Sequence, residues 1–153
     1  MMKVLRMGLA SIGLALLATA ALAANPIEIT ADQFVVDEAS NRATFTGQVV
    51  VTRGSMTVWA ARVEVDYGAN GPSDIRSFEA IGDVRIRTPE QDASGDRAIY
   101  DPRAETLRLT GNVTVVNASS RVAGPDLVID LNANTTTFSG GSNGRVTGVF
   151  TPQ

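Results

Sequence analysis

The chain has 153 residues, with 13 basic and 16 acidic side chains and a formal net charge of −3. Histidine and cysteine are both absent, which excludes disulfides, thiol chemistry, Cys/His zinc sites and His-based catalysis. The acidic balance also argues against nucleic acid as a partner, because that needs a basic face.

The first segment reads as a targeting signal. Lys3 and Arg6 make a positive start, an apolar run follows from Met7 to Ala21, and Ala21-Leu22-Ala23 offers small residues at the cleavage positions. Residues 1–23 are therefore expected to be a signal peptide cut after Ala23. Retention as a membrane anchor is the competing reading, although the run is short for a span. No cysteine follows it, so a lipoprotein anchor is excluded. Export without cysteine points to a Gram-negative periplasm. Residues 24–153 are expected to form one domain, with no lysine left, since Lys3 is the only one.

The mature chain repeats itself. Asp37-Glu38-Ala39-Ser40-Asn41 has counterparts at Asp66–Asn70, Asp101–Glu105 and Asp130–Asn134, spaced 29, 35 and 29 residues apart. A glycine follows ten residues after the Asp at Gly47, Gly111 and Gly140, and sixteen after it at Gly82. The six extra residues place an inserted loop at Gly71-Pro72-Ser73-Asp74. The Asp is expected to open a turn by accepting a backbone N–H two residues on. The Gly is expected to mark a bulge or bend.

Each unit reads as strand, turn, strand, Gly, strand. Apolar residues alternate before the turn (Phe34, Val36; Val63, Val65; Ala98, Tyr100; Leu127, Ile129), after it (Ala43, Phe45; Phe78, Ala80; Leu107, Leu109; Phe138) and beyond the Gly (Val49, Val51; Val84, Ile86; Val113, Val115). Period two means half-buried strands. At ordinary strand lengths of ~5 residues this predicts a dozen or more short antiparallel strands. Single-faced strands at this spacing stack as two facing sheets, closed on a plain core or splayed into a groove. A row of Asp residues along turns is poor geometry for paired carboxylate catalysis, so a secreted hydrolase ranks last and no enzyme activity is expected.

Smaller features carry less. Trp59 fits a groove mouth, an interface or partly buried packing. Asp92, Gly95 and Asp96 superficially suggest a metal loop, but the spacing lacks the full pattern and a solvated loop is expected. Asn143-Gly144 is a hairpin signal. Arg85, Arg87, Arg97 and Arg108 fit either contacts to lipid phosphates at a rim or a solvent-facing side of the alternation.

The order of these motifs resembles the LptA/OstA-like family of periplasmic lipopolysaccharide-transport proteins. The matching stretches run through residues 29–34, 43–51, 60–67 and 109–115. Arg62 stands where the pattern usually has Asp. The resemblance implies an all-β, open, twisted β-jelly roll that holds lipid A acyl chains between its sheets. It also implies head-to-tail stacking with itself, with the inner-membrane Lpt transporter complex and with the outer-membrane Lpt translocon. No cofactor is implied, and without a Walker-type loop the chain is not the motor.

On this reading the groove-lining residues are Phe34, Val36, Phe45, Val49, Val63, Val65, Phe78, Val84, Tyr100, Leu109, Val113 and Ile129. Each equally fits plain core packing. The alternatives are an anchored inner-membrane relay of the same pathway and a ligand-free structural β-repeat.

Overall fold

The computed structural model describes residues 26–142 and 144–153. The expected signal peptide lies outside the described residues, and so does Asn143 of the expected hairpin turn. Every element among the described residues is a strand: β1 (Glu28–Thr30), β2 (Gln33–Asp37), β3 (Arg42–Arg53), β4 (Met56–Tyr67), β5 (Ile75–Arg87), β6 (Gln91–Asp101), β7 (Thr106–Asn117), β8 (Ser120–Asp130), β9 (Thr135–Ser139) and β10 (Thr147–Phe150).

Ten strands replace the expected dozen or more, because six of them run for 11 to 13 residues straight through the repeat boundary. The glycines explain this. Gly47, Gly82 and Gly111 have φ of +84°, +85° and +77°, and the residues after them, Gln48, Asp83 and Asn112, have +45°, +47° and +49°. Two successive left-handed residues absorb an extra residue as a bulge, so the strand bends and continues. The ladder registers shift at this level in each pair from β3–β4 to β7–β8. The fourth unit differs: Gly140 follows the end of β9 and carries no bulge.

The bends divide one antiparallel sheet into two facing half-sheets. The short strands show where the division falls. β2 pairs with residues 42–46 of β3, whereas β1 pairs with residues 50–52. At the other end β9 pairs with residues 126–130 of β8 and β10 with residues 120–123. Inward side chains from both halves meet in one core, including Val49, Val84, Ile86 and Val113 from one and Val63, Leu109 and Leu127 from the other. Among the described residues no polar side chain is buried. Burial of each such Val or Leu contributes about 1.5–3 kcal/mol, and this is what holds the halves together.

The Asp accepts from the backbone N–H two residues on, as expected, at Asp37 and Asp101, and from the N–H three residues on at Asp130. Asp37 Oδ1 accepts from Ala39 N at 3.0 Å, Asp101 Oδ1 from Arg103 N at 2.9 Å, and Asp130 Oδ1 from Ala133 N at 2.9 Å. Hydrogen bonds from Ser40 hold the Asp37 carboxyl below the usual carboxylate range. Asp66 departs from the pattern: a loop closed between Gly68 and Asp74, longer than the insert expected at 71–74, takes over the turn, and the Asp66 carboxylate accepts instead from Arg42 Nε at 2.7 Å.

Candidate functional site

The inner face is built from residue rows that run across the strands. One row passes from edge to edge by direct register: Phe34, Phe45, Val63, Ala80, Ala98, Leu109, Leu127 and Phe138. A second row lies beside it: Val36, Ala43, Val65, Phe78, Tyr100, Leu107, Ile129 and Thr136. The facing half-sheet presents Ile29, Val51, Val58, Ile86, Ala93, Val115 and Val122 in the same manner. Period-two side-chain direction makes each row a continuous stripe, apolar but for the Tyr100 hydroxyl and Thr136 of the second.

All twelve groove residues expected from the sequence fall on this inner side, but they are not equivalent. Phe34, Phe45, Val63 and Leu109 belong to the first row, and Val36, Val65, Phe78, Tyr100 and Ile129 to the second. Val49, Val84 and Val113 follow the three bulges directly and are closed in the core, as is Leu109, at 0% exposure. Those four and Ile129, which is half-buried, line neither of the two cleft cavities described next.

Toward the β1–β2 end the half-sheets part. A cavity of ≈ 110 Å³ lies between Val51, Met56 and Val58 on one side and Val63, Phe78, Ala80, Ala98 and Tyr100 on the other. A neighbouring cavity of ≈ 220 Å³ is lined by Ile29, Phe34, Val36, Ala43, Phe45, Val65 and Ile75. Phe34 stacks on Phe45 at 4.5 Å between ring centroids and is 56% exposed at the sheet edge. Phe78 and Tyr100 meet at 6.2 Å. Arg53 closes the mouth, donating from Nη1 to Tyr100 Oη at 3.4 Å, from one half-sheet to the other.

Sequence reasoning missed several of these lining residues. Met56 and Val58 obey the same alternation after the Gly54-Ser55 turn, and that signal was available. Ile27, Tyr67, Pro72 and Leu131, which also border the cavities, lie at strand ends or in loops, where period two gives no direction.

The outer face carries the charge. Arg42 pairs with Asp66, Arg62 with Glu64, Arg97 with Glu79, Arg108 with Asp126, and Arg85 and Arg87 with Asp92. The four arginines considered for a lipid rim are thus on the opposite side from the cleft. Trp59 is there too, with Arg85 and Arg87 over its ring at 5.7 and 5.6 Å, so it is outward packing and not part of the groove mouth. Residues 92–96, expected in a solvated loop, belong to β6. The guanidinium neighbours hold the Asp92 and Asp126 carboxyls below their ordinary range.

Ala61, not Arg62, occupies the pattern's Asp position. A Cβ placed on Gly47 or Gly111 would meet Asp32 or Asp96, whereas one on Gly82 would meet Ala61. Among the described residues the half-sheets offer an apolar slot with a polar exterior and one cation, Arg53, at its mouth. Such a slot suits the hydrocarbon part of an amphiphile.

Residues 28–135 match the family model described as LptA/(LptD N-terminal domain) LPS transport protein. A lipopolysaccharide export system protein LptA of Haemophilus influenzae is 28% identical over 134 residues, covering 83% of this chain and 77% of that protein. An uncharacterized protein of Rhizobium meliloti is 29% identical over 136 residues, covering 76% of this chain and 73% of that one. In three dimensions the chain resembles the crystal structure of LptH, described as the LptA-homologous periplasmic component of the lipopolysaccharide transport device of Pseudomonas aeruginosa. The TM-score is 0.71 at 22% identity, covering 84% of this chain and 96% of that one. This likeness is one of fold, the twisted β-jelly roll.

Proposed function

The chain belongs to the family of LptA and LptD N-terminal-domain lipopolysaccharide transport proteins, and from that membership we propose that it is a periplasmic bridge that carries lipopolysaccharide between the membranes. The acyl chains lie between the half-sheets against Phe34, Val36, Phe45, Val63, Val65, Phe78 and Tyr100. The observation that carries the reading is the apolar cleft toward the β1–β2 end, lined from both half-sheets by residues such as Phe34, Phe45, Val51, Val58 and Phe78, beyond which the row from Phe34 to Phe138 closes into the core at Leu109 and Leu127.

The physics asks for such a lining. An acyl chain entering water loses ~0.8 kcal/mol per methylene. A lipid with several chains therefore does not cross an aqueous compartment unaided. A continuous apolar slot exchanges one apolar surrounding for another and leaves the energy nearly level from end to end. A level path has no direction, so the drive comes from a partner ATPase at the inner membrane. The function is relay and binding, not catalysis.

The edges supply continuity. β1 and β2 at one end and β9 and β10 at the other each have an unpaired side, the kind of edge that accepts a further strand. Head-to-tail contacts of this type continue as a filament. The partners in this reading are further copies, the inner-membrane Lpt transporter complex and the outer-membrane Lpt translocon. The signal peptide at 1–23 would deliver the chain to the periplasm.

In-cell photocrosslinking tests it. A crosslinking amino acid at Phe78, inside the cleft, is expected to capture lipopolysaccharide, and one at Glu64, on the outer face, is not. No adduct at Phe78 in a folded, exported protein would favour a ligand-free structural role.

A further inference from the structure

Arg53 differs from the arginines of the outer face. Seven arginines, namely Arg42, Arg62, Arg85, Arg87, Arg97, Arg103 and Arg108, have a carboxylate within ion-pair distance. Among the described residues Arg53 has none, and its side-chain hydrogen bond goes to the Tyr100 hydroxyl across the cleft. Arg76, Arg121 and Arg145 also lack ion pairs, but they border none of the cleft cavities. Arg53 stands at the end of β3, where the apolar cavity beneath it opens into a more polar recess shared with Ser73, Tyr100 and Glu105. Glu105 borders that recess without pairing with Arg53.

We propose that Arg53, assisted by the Tyr100 hydroxyl, binds a head-group phosphate of the acylated lipid whose chains enter the cleft. This deepens the transport reading and rests on it. The argument is one of charge placement. The slot has no buried polar group to receive a phosphate, so a charged head must stop at the mouth. The mouth holds a guanidinium without a carboxylate partner, which can donate two parallel hydrogen bonds to a phosphate. Tyr100 is both donor and acceptor, so it can exchange its bond from Arg53 for one to the same phosphate. The Arg53–Tyr100 link across the mouth thus gives way to a head-group contact when a lipid enters.

The test measures affinity of the purified mature chain for two probes, bisphosphorylated lipid A and its dephosphorylated form. Arg53→Gln, Arg53→Lys and, as an outer charge control, Arg121→Gln are compared after thermal melts establish folding. The expected result is a preference of roughly tenfold or more for the phosphorylated lipid, as charge-assisted hydrogen bonds give. Arg53→Gln abolishes that preference, Arg53→Lys keeps part of it, and Arg121→Gln leaves it unchanged. Equal binding of the two lipids by the parent chain, or an equal loss in Arg53→Gln and Arg121→Gln, overturns the assignment while leaving the transport reading intact. Displacement of lipid by inorganic phosphate alone overturns it in favour of a free-anion site. If the parent binds neither lipid, the transport reading itself fails and the assignment falls with it.

Discussion

The carboxylate of Asp96 lies directly against the Cα of Gly111, in the space where any larger residue would put its Cβ. Asp32 holds the same relation to Gly47 one repeat pair earlier. The glycine is thus required twice, for its φ of +77° and for the room it leaves. Gly111→Ala is expected to destabilise by about 2–4 kcal/mol, adding left-handed strain to overlap. Asp96→Ala should relieve the overlap but not the strain. Urea unfolding of the double variant is therefore expected to show a smaller loss than the two single losses summed. Strict additivity would mean that the contact is not what excludes a side chain.

The twelve candidate groove residues should divide by burial when substituted. Leu109→Ala, at a fully buried site, is expected to cost about 2–5 kcal/mol. Phe34→Ala, at the exposed edge, should cost roughly 1 kcal/mol or less, because little area leaves water there. Its effect should fall on lipid capture instead. Denaturant midpoints read alongside lipopolysaccharide crosslinking would separate the two. A Phe34 variant that unfolds as easily as the Leu109 variant would place Phe34 in the core.

Glu105 sits at φ +52°, the conformation that Asn41 and Asn134 adopt at the matching turn positions. Asparagine tolerates this region better than glutamate. Glu105→Asn is expected to stabilise by about 0.5–1 kcal/mol. The urea midpoint should rise with no change in slope.

Hydrogen bonding to Arg108 holds the Asp126 carboxyl below the ordinary carboxylate range. Its contribution to stability is therefore fully present above the unfolded value and fades as pH falls through the lower folded value. The pair is solvent-facing, so the effect is modest. Asp126→Asn should be less stable than the parent at neutral pH, with the gap narrowing below about pH 4. Denaturant midpoints measured across that range check this, and a gap that does not move with pH would contradict it.

Much of this architecture can be read from residue order alone. Alternation such as Phe34-Val36 and Val63-Val65 names the inner face, and Asp37, Asp101 and Asp130 mark their turns. The continuity of strands through Gly47, Gly82 and Gly111 cannot be read in the same way. A glycine that ends a strand and one that bulges it are the same letter. Only the following residue's left-handed backbone, as at Gln48 and Asn112, distinguishes them. The cleft is less legible still. Phe34 and Leu109 carry the same pattern and lie in the same row, yet one is exposed and the other sealed. The difference comes from where the half-sheets part, a property of the whole sheet. Arg53 gave no local signal either, since its meaning depends on Tyr100 some 47 positions away.

The three glycine bulges have a mechanical consequence. They lie at one level across the sheet, so together they form a crease. On either side of it each leaf keeps its own ladder of hydrogen bonds. Spreading the leaves like the covers of a book would turn the dihedral angles of the creased residues and part the core that the two leaves share. In the proposed transport role, lipids that differ in the number or length of their chains would be met by the opening of one spine, without the ladder of either leaf being rebuilt.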